Sequence, residues 1–165
     1  MRSQVHTILH GTRPEAVLAV NLSRDDQSAL TTMFATLPWR LMSAATLAQG
    51  VRQTMSQNVR VVICERDLPD GNWKLLLDKV RELANPPRFI VASRLADERL
   101  WAEVLNLGGD DVLATPFDGD EVHRVVSYAI DSWHWQVEAG AKYGSAFGLP
   151  GRRRPRGGIR PSRAR

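Results

Sequence analysis

VRVVICERDLPDGNW, residues 59–73, decides how the chain folds. Val59 to Cys64 is its most β-branched run and reads as a strand. The run gives way to Leu68-Pro69-Asp70-Gly71, where the proline presets one turn dihedral and the glycine supplies the permissive one. Asn72 can cap a helix over Trp73 to Leu83, which Asn85-Pro86-Pro87 stops. Strand, connection and helix recur on either side. Upstream, Glu15 to Asn21 (EAVLAVN) is an apolar run too short for a helix, bounded by Pro14 and the polar SRDDQ, and reads as a fully buried strand. Ala29, Leu30, Met33, Phe34 and Leu37 then recur at helical spacing, with Ser23 or Arg24 at the cap, Asp25 and Asp26 suited to the positive end of the helix dipole, and Pro38 as the stop. Arg40 to Ala44 and Leu47 to Met55 repeat the pair. Downstream come a strand at Arg88 to Ser93, a helix at Asp97 to Leu107 ended by Gly108-Gly109, and a short strand at Asp111 to Ala114. A last helix carries the stripe Val122, Val125, Val126, Ala129, Ile130 and Trp133, from near Asp118 to about Trp135. Five such pairs predict a doubly wound α/β domain, a five-stranded parallel sheet with helices on both faces and right-handed crossovers.

With 165 residues, 43% of them hydrophobic, the chain supports one sizeable core with length left over. The expected division is an N-terminal extension at 1–14, the α/β domain at 15–137, and an Arg-rich disordered tail at 138–165. Residues 1–150 carry 15 Lys and Arg against 18 Asp and Glu, a net of −3, whereas the last fifteen carry seven Arg and no acid. The high pI therefore belongs to the tail and not to a face of the folded part. No run approaches about 18 apolar residues, so a helical membrane span is excluded. The opening segment lacks the apolar core of a secretory signal, and the single cysteine, Cys64, reads as a small core residue; both point to the cytoplasm. The histidines show no ligand spacing, and no zinc cage can be built from one cysteine.

In open α/β sheets the site lies outside the carboxyl ends of the strands. The residues delivered there are Asn21 and Leu22, Glu65 with Asp67 two residues on, Ser93, and Thr115 before Pro116. From Glu15 to about Trp135 the chain resembles the response-regulator receiver domains of bacterial two-component signalling, most specifically in the LPDG turn, in Ser93, and in Gly108 to Phe117 (GGDDVLATPF). The resemblance implies a flavodoxin-like (βα)5 sheet in the strand order 2-1-3-4-5. It also implies an aspartate four residues before the turn proline that takes up phosphate, an acidic pair after the first strand that holds magnesium, and a lysine before the last Pro-Phe that contacts the phosphoryl group. Here the phosphoacceptor position is Glu65, the acidic pair falls on Asn21 and Leu22, the lysine position is Thr115, and the aromatic of the fifth strand is Val112.

Each departure removes a piece of chemistry. Magnesium prefers octahedral oxygen ligands, so an amide and a leucine predict a lost cation site, and no cofactor is expected. Without metal and lysine, little neutralises the charge developing on a transferring phosphoryl group. Asp25 and Asp26 could swing in to restore an ion, although they read more naturally as the first turn of a helix. Glu65 admits three readings: a relic, a partial mimic of a phosphoryl group, or a ligand for something else. Trp73 packs locally or covers the pocket. On the fourth helix Leu100, Val104 and Leu107 can face the sheet, leaving Trp101 and Leu105 for a protein partner or a homodimer that uses the fourth and fifth helices, or for a broad core stripe. Arg152, Arg153, Arg154, Arg156, Arg160, Arg163 and Arg165 form a polycation with salt-dependent affinity for RNA, DNA or an anionic surface, or a merely solvated tail.

The expected function is a stand-alone, degenerate receiver that signals by docking a protein partner and is not an enzyme. The alternatives are a working phosphoacceptor with a rearranged pocket and a nucleic-acid binder acting through the tail.

Overall fold

The structure is a computed structural model that describes residues 14–144. Its sheet is built from β1 (Ala16–Val20), β2 (Arg40–Ala44), β3 (Val59–Glu65), β4 (Arg88–Ser93) and β5 (Asp111–Ala114), and its helices are α1 (Arg24–Phe34), α2 (Leu47–Ser56), α3 (Trp73–Arg81), α4 (Glu98–Leu107) and α5 (Gly119–Gly144). The strands lie in the order β2-β1-β3-β4-β5, every pairing parallel. Between β3 and α3 a two-residue antiparallel ladder, Asp67–Leu68 against Gly71–Asn72, closes the LPDG turn. The doubly wound flavodoxin-like sheet and its order are thus as expected.

Strand alternation sorts the core into two layers. Leu18, Val20, Cys64, Phe89 and Val91 pack with Trp73, Leu76, Leu77 and Val104 on the face covered by α2, α3 and α4. Val17, Ala19, Ile63, Ile90 and Leu113 pack with Leu30, Phe34, Val122, Val126 and Ile130 on the face of α1 and α5. Caps set where the helices begin: Ser23, Thr46, Asn72 and Asp97 each accept a backbone N–H of the first turn, and Asp118 accepts that of Glu121. Gly108, at φ 94°, ends α4 in the left-handed region.

Two expectations need correction. The last helix does not stop near Trp135; it continues to Gly144, so residues 138–144 are helical and not part of a disordered tail. Side-chain packing anchors it at Trp133 and His134. Trp133 is buried, the Arg60 guanidinium lies 3.5 Å from the centre of its ring, and His134 Nε2 meets Glu15 Oε1 at 2.6 Å. Leu107, expected to face the sheet, is 42% exposed, because α4 ends there and its carbonyl accepts from Arg81 Nη1 at 2.6 Å. The N-terminal extension through residue 13 and the seven tail arginines lie outside the described residues.

Candidate functional site at the carboxyl ends of the strands

Parallel pairing brings the expected site residues to one edge of the sheet. Asn21 follows β1, Glu65 ends β3 beside Ala92, Ser93 ends β4 beside Ala114, and the Thr115 amide donates to the Ser93 carbonyl at 3.1 Å. What these residues offer is limited. Asn21 sits at φ 54°, a left-handed conformation that asparagine tolerates, and its Nδ2 donates to the Asp67 carbonyl at 2.9 Å. Leu22 packs against the α1 and α5 layer. The two positions after β1 thus give one neutral amide with its nitrogen engaged and one partly buried leucine packed against the core. Ser93 is buried and its Oγ accepts from the Leu95 amide at 3.2 Å, which ties it to the loop before α4. Thr115 is buried, and its Oγ1 has no hydrogen-bond partner among the described residues.

Glu65 accepts from the Arg66 amide at 3.1 Å. Partial burial pushes its carboxyl above the ordinary glutamate range, the charges of Asp26 and Asp67 add to the rise, and the Arg66 amide and charge oppose it. Asp67 is exposed, and its Oδ2 takes Nε and Nη2 of Arg66 at 3.2 Å. By its sequence Asp26 reads as a first-turn residue, with a swing toward the site as the alternative. It is one, as is Asp25, but it is also buried, accepts from Ser23 Oγ at 2.6 Å, and lies close enough for its charge to bear on Glu65. The missed signal was its spacing, because Asp26, Leu30 and Phe34 fall on one helical stripe. Among the described residues no three His, Cys, Asp or Glu side chains converge as a metal-ligand group.

Around this edge, Trp73 is 2% exposed inside the α3 layer, as the packing reading expected, and the Cys64 thiol is buried and pushed far up by desolvation, then by the Glu65 charge. Lys74 of α3 pairs with Glu103 of α4 across the turn. On α4, Trp101 and Leu105 are exposed, and Tyr128 of α5 is exposed with them.

The same fold occurs in solved receiver domains. The signal receiver domain of an HD domain-containing protein from Pseudomonas fluorescens Pf-5 is 23% identical, with a TM-score of 0.70 over 80% of this chain and 98% of that one. The fold is the receiver fold. The receiver domain of a sensor histidine kinase from Pseudomonas aeruginosa PAO1, with a magnesium ion coordinated in its active site cleft, is 22% identical, with a TM-score of 0.64 over 72% and 99% of the two chains. A response regulator receiver domain protein from Methanospirillum hungatei JF-1 is 20% identical, with a TM-score of 0.62 over 75% and 99%. No protein-family model matches the chain, and no curated protein matches it in sequence. Within the receiver fold of this chain, no helix of the described residues is long and apolar enough to cross a membrane.

Proposed function

We propose that the chain is a receiver-like signalling module of a two-component pathway that works in the cytoplasm by docking a protein partner, without phosphorylation, without magnesium and without enzymatic activity of its own. The observation that carries this reading is the state of the two positions after β1. Magnesium takes oxygen ligands in near-octahedral geometry. Here one position holds a neutral amide in place of a carboxylate, and the other a leucine packed against the core, which offers no donor atom at all. That donor set does not fit the ion. Phosphoryl transfer also needs positive charge around the transferring group. The Thr115 position gives a hydroxyl, and Arg66 is already paired with Asp67.

The test is the intact mass after incubation with magnesium and a small acyl-phosphate donor, for the parent, Glu65→Gln and Asp67→Asn, beside a working receiver. No added phosphoryl group is expected in any of the three. A single addition that disappears in either variant overturns the reading. The docking surface is the exposed side of α4 with Trp101 and Leu105, joined by Tyr128 of α5. It suits a protein partner or a second copy, and a concentration-dependent dimer abolished by Trp101→Ala would identify the second copy.

One observation favours a second reading. Asp26 is buried and its charge reaches Glu65. In a rearranged pocket, Asp26, Glu65 and Asp67 would take the acidic roles, and titration with magnesium separates the two readings.

A further inference from the structure

Between α4, β5 and α5 lies a notch of about 320 Å³ whose lining combines Val112, Ala114 and Trp101 with the carboxylates of Asp97, Glu98 and Glu121. No basic side chain is in that lining. Trp101 is 50% exposed, and its indole N–H donates to Asp111 Oδ1 at 3.3 Å, which fixes the ring. An aromatic ring attracts a cation to its face, and carboxylates accept the planar N–H fork of a guanidinium. The chemistry of the notch is therefore that of an arginine receptor.

The same chain carries its complement. Residues 151–165, GRRRPRGGIRPSRAR, hold seven arginines and no acid, while residues 1–150 are net acidic. We propose that Arg160, Arg163 and Arg165 dock in cis into this notch and cover the face that Proposed function assigns to a partner; the inference rests on that assignment. Reach excludes Arg152 and Arg153 and gives these three the most slack. Glu121 lies at the start of α5 and Gly144 at its end, about 35 Å apart at 1.5 Å per residue. At about 3.5 Å per residue an extended chain carries Arg152 only about 28 Å back from Gly144, whereas Arg160 has about 56 Å and the later arginines more. A partner would then compete with the chain's own arginines for Trp101, at an effective concentration set by the connecting segment.

The test follows the tryptophan indole N–H resonances of the full chain in 1H-15N spectra. Replacing Arg160, Arg163 and Arg165 together by Gln is expected to move the Trp101 indole signal and the amides of Glu98 and Glu121, and to leave the buried Trp73 and Trp133 indoles in place. Adding salt to about 1 M, where the screening length is about 3 Å, is expected to produce the same movement in the parent. In a Glu98→Gln, Glu121→Gln chain the arginine replacement is expected to move nothing further. Superimposable spectra of parent and arginine variant overturn the proposal, and so does a difference that disappears on dilution, which would place the arginines on a second copy. The mass assay on Glu65 does not sense the tail, and a dimer or partner complex that still depends on Trp101 in the arginine variant would leave the docking surface standing while the tail contact fails.

Discussion

Glu65 and Asp70 are carboxylates a few residues apart whose surroundings push them in opposite directions. Glu65 holds its proton more tightly in the folded chain, chiefly because it is partly buried. Such an acid adds stability while it is protonated and loses it as pH rises through the ordinary glutamate range to the folded value. Glu65→Gln cannot ionise, so it is expected to melt above the parent at neutral pH, by less than about 1 kcal/mol for a partly exposed group. The gap should close below about pH 4, where both side chains are neutral. A gap that does not change with pH in thermal melts would mean that neither burial nor the neighbouring charges raise the pKa of this carboxyl. Asp70 behaves oppositely. Its oxygens accept the Leu47 and Ala48 amides at 2.7 and 3.1 Å, and these bonds lower its pKa. Its contribution is present above the ordinary aspartate range and is lost as pH falls through the folded value. Asp70→Ala is expected to lower the melting temperature at pH 7, and the difference should disappear in acid. The turn carboxylate that looked like mere turn chemistry in LPDG thus anchors the start of α2, a contact between distant positions that no local pattern announces.

Trp73 decides at the level of an element whether α3 is held by packing or merely hangs over the site. It is 2% exposed among Leu68, Leu76, Leu77 and Val80. Trp73→Ala is therefore expected to cost about 3–5 kcal/mol in urea denaturation, the range for emptying a large aromatic site. A cost near that of a surface substitution, within about 0.5 kcal/mol, would make it a lid instead. The strands and helices themselves were legible, because runs such as Ala16–Val20 and stripes such as Val122, Val126 and Ile130 encode burial in their period. Where reading by period failed, a different force had taken over. Leu107 keeps the helical spacing of Leu100 and Val104, but the left-handed Gly108 ends α4 and leaves it in solvent. Asp26 keeps the spacing of Leu30 and Phe34, yet a charged residue on an apolar stripe reads more naturally as a dipole partner than as a buried side chain. The candidate site was legible as a set of positions, and its chemistry was not. The Asn21 to Asp67 hydrogen bond joins residues whose sequence separation conceals it.

On the scale of the whole molecule, the sheet has a site at one pole and a clamp at the other. Strands of four to seven residues are shorter than α5, whose 26 residues span about 39 Å, so the helix overshoots the sheet at the pole where β1 and β3 begin. Glu15, Arg60, Trp133 and His134 meet there. Partial burial lowers the pKa of Arg60 against the opposing pull of Glu15, and its guanidinium rests on the Trp133 ring. Past Trp133 the described side chains are exposed except Val137. The clamp therefore predicts a sharp boundary in how much of α5 the fold needs. Ending the chain after Ser132 removes Trp133, worth about 3–5 kcal/mol of packing. The buried Trp133 Nε1 has no hydrogen-bond partner, and losing that penalty returns about 1–3 kcal/mol. Packing still wins, with a net loss of about 2 kcal/mol, or about 4–8 °C for a domain of this size. Ending the chain after Lys142 leaves every clamp residue in place and is expected to cost less than about 0.5 kcal/mol. Differential scanning calorimetry of the two truncations makes the comparison. Melting temperatures that fall together would show that the distal turns of α5 stabilise the sheet by a route other than the clamp, and a loss confined to the shorter chain assigns that role to Trp133 and the residues it packs against.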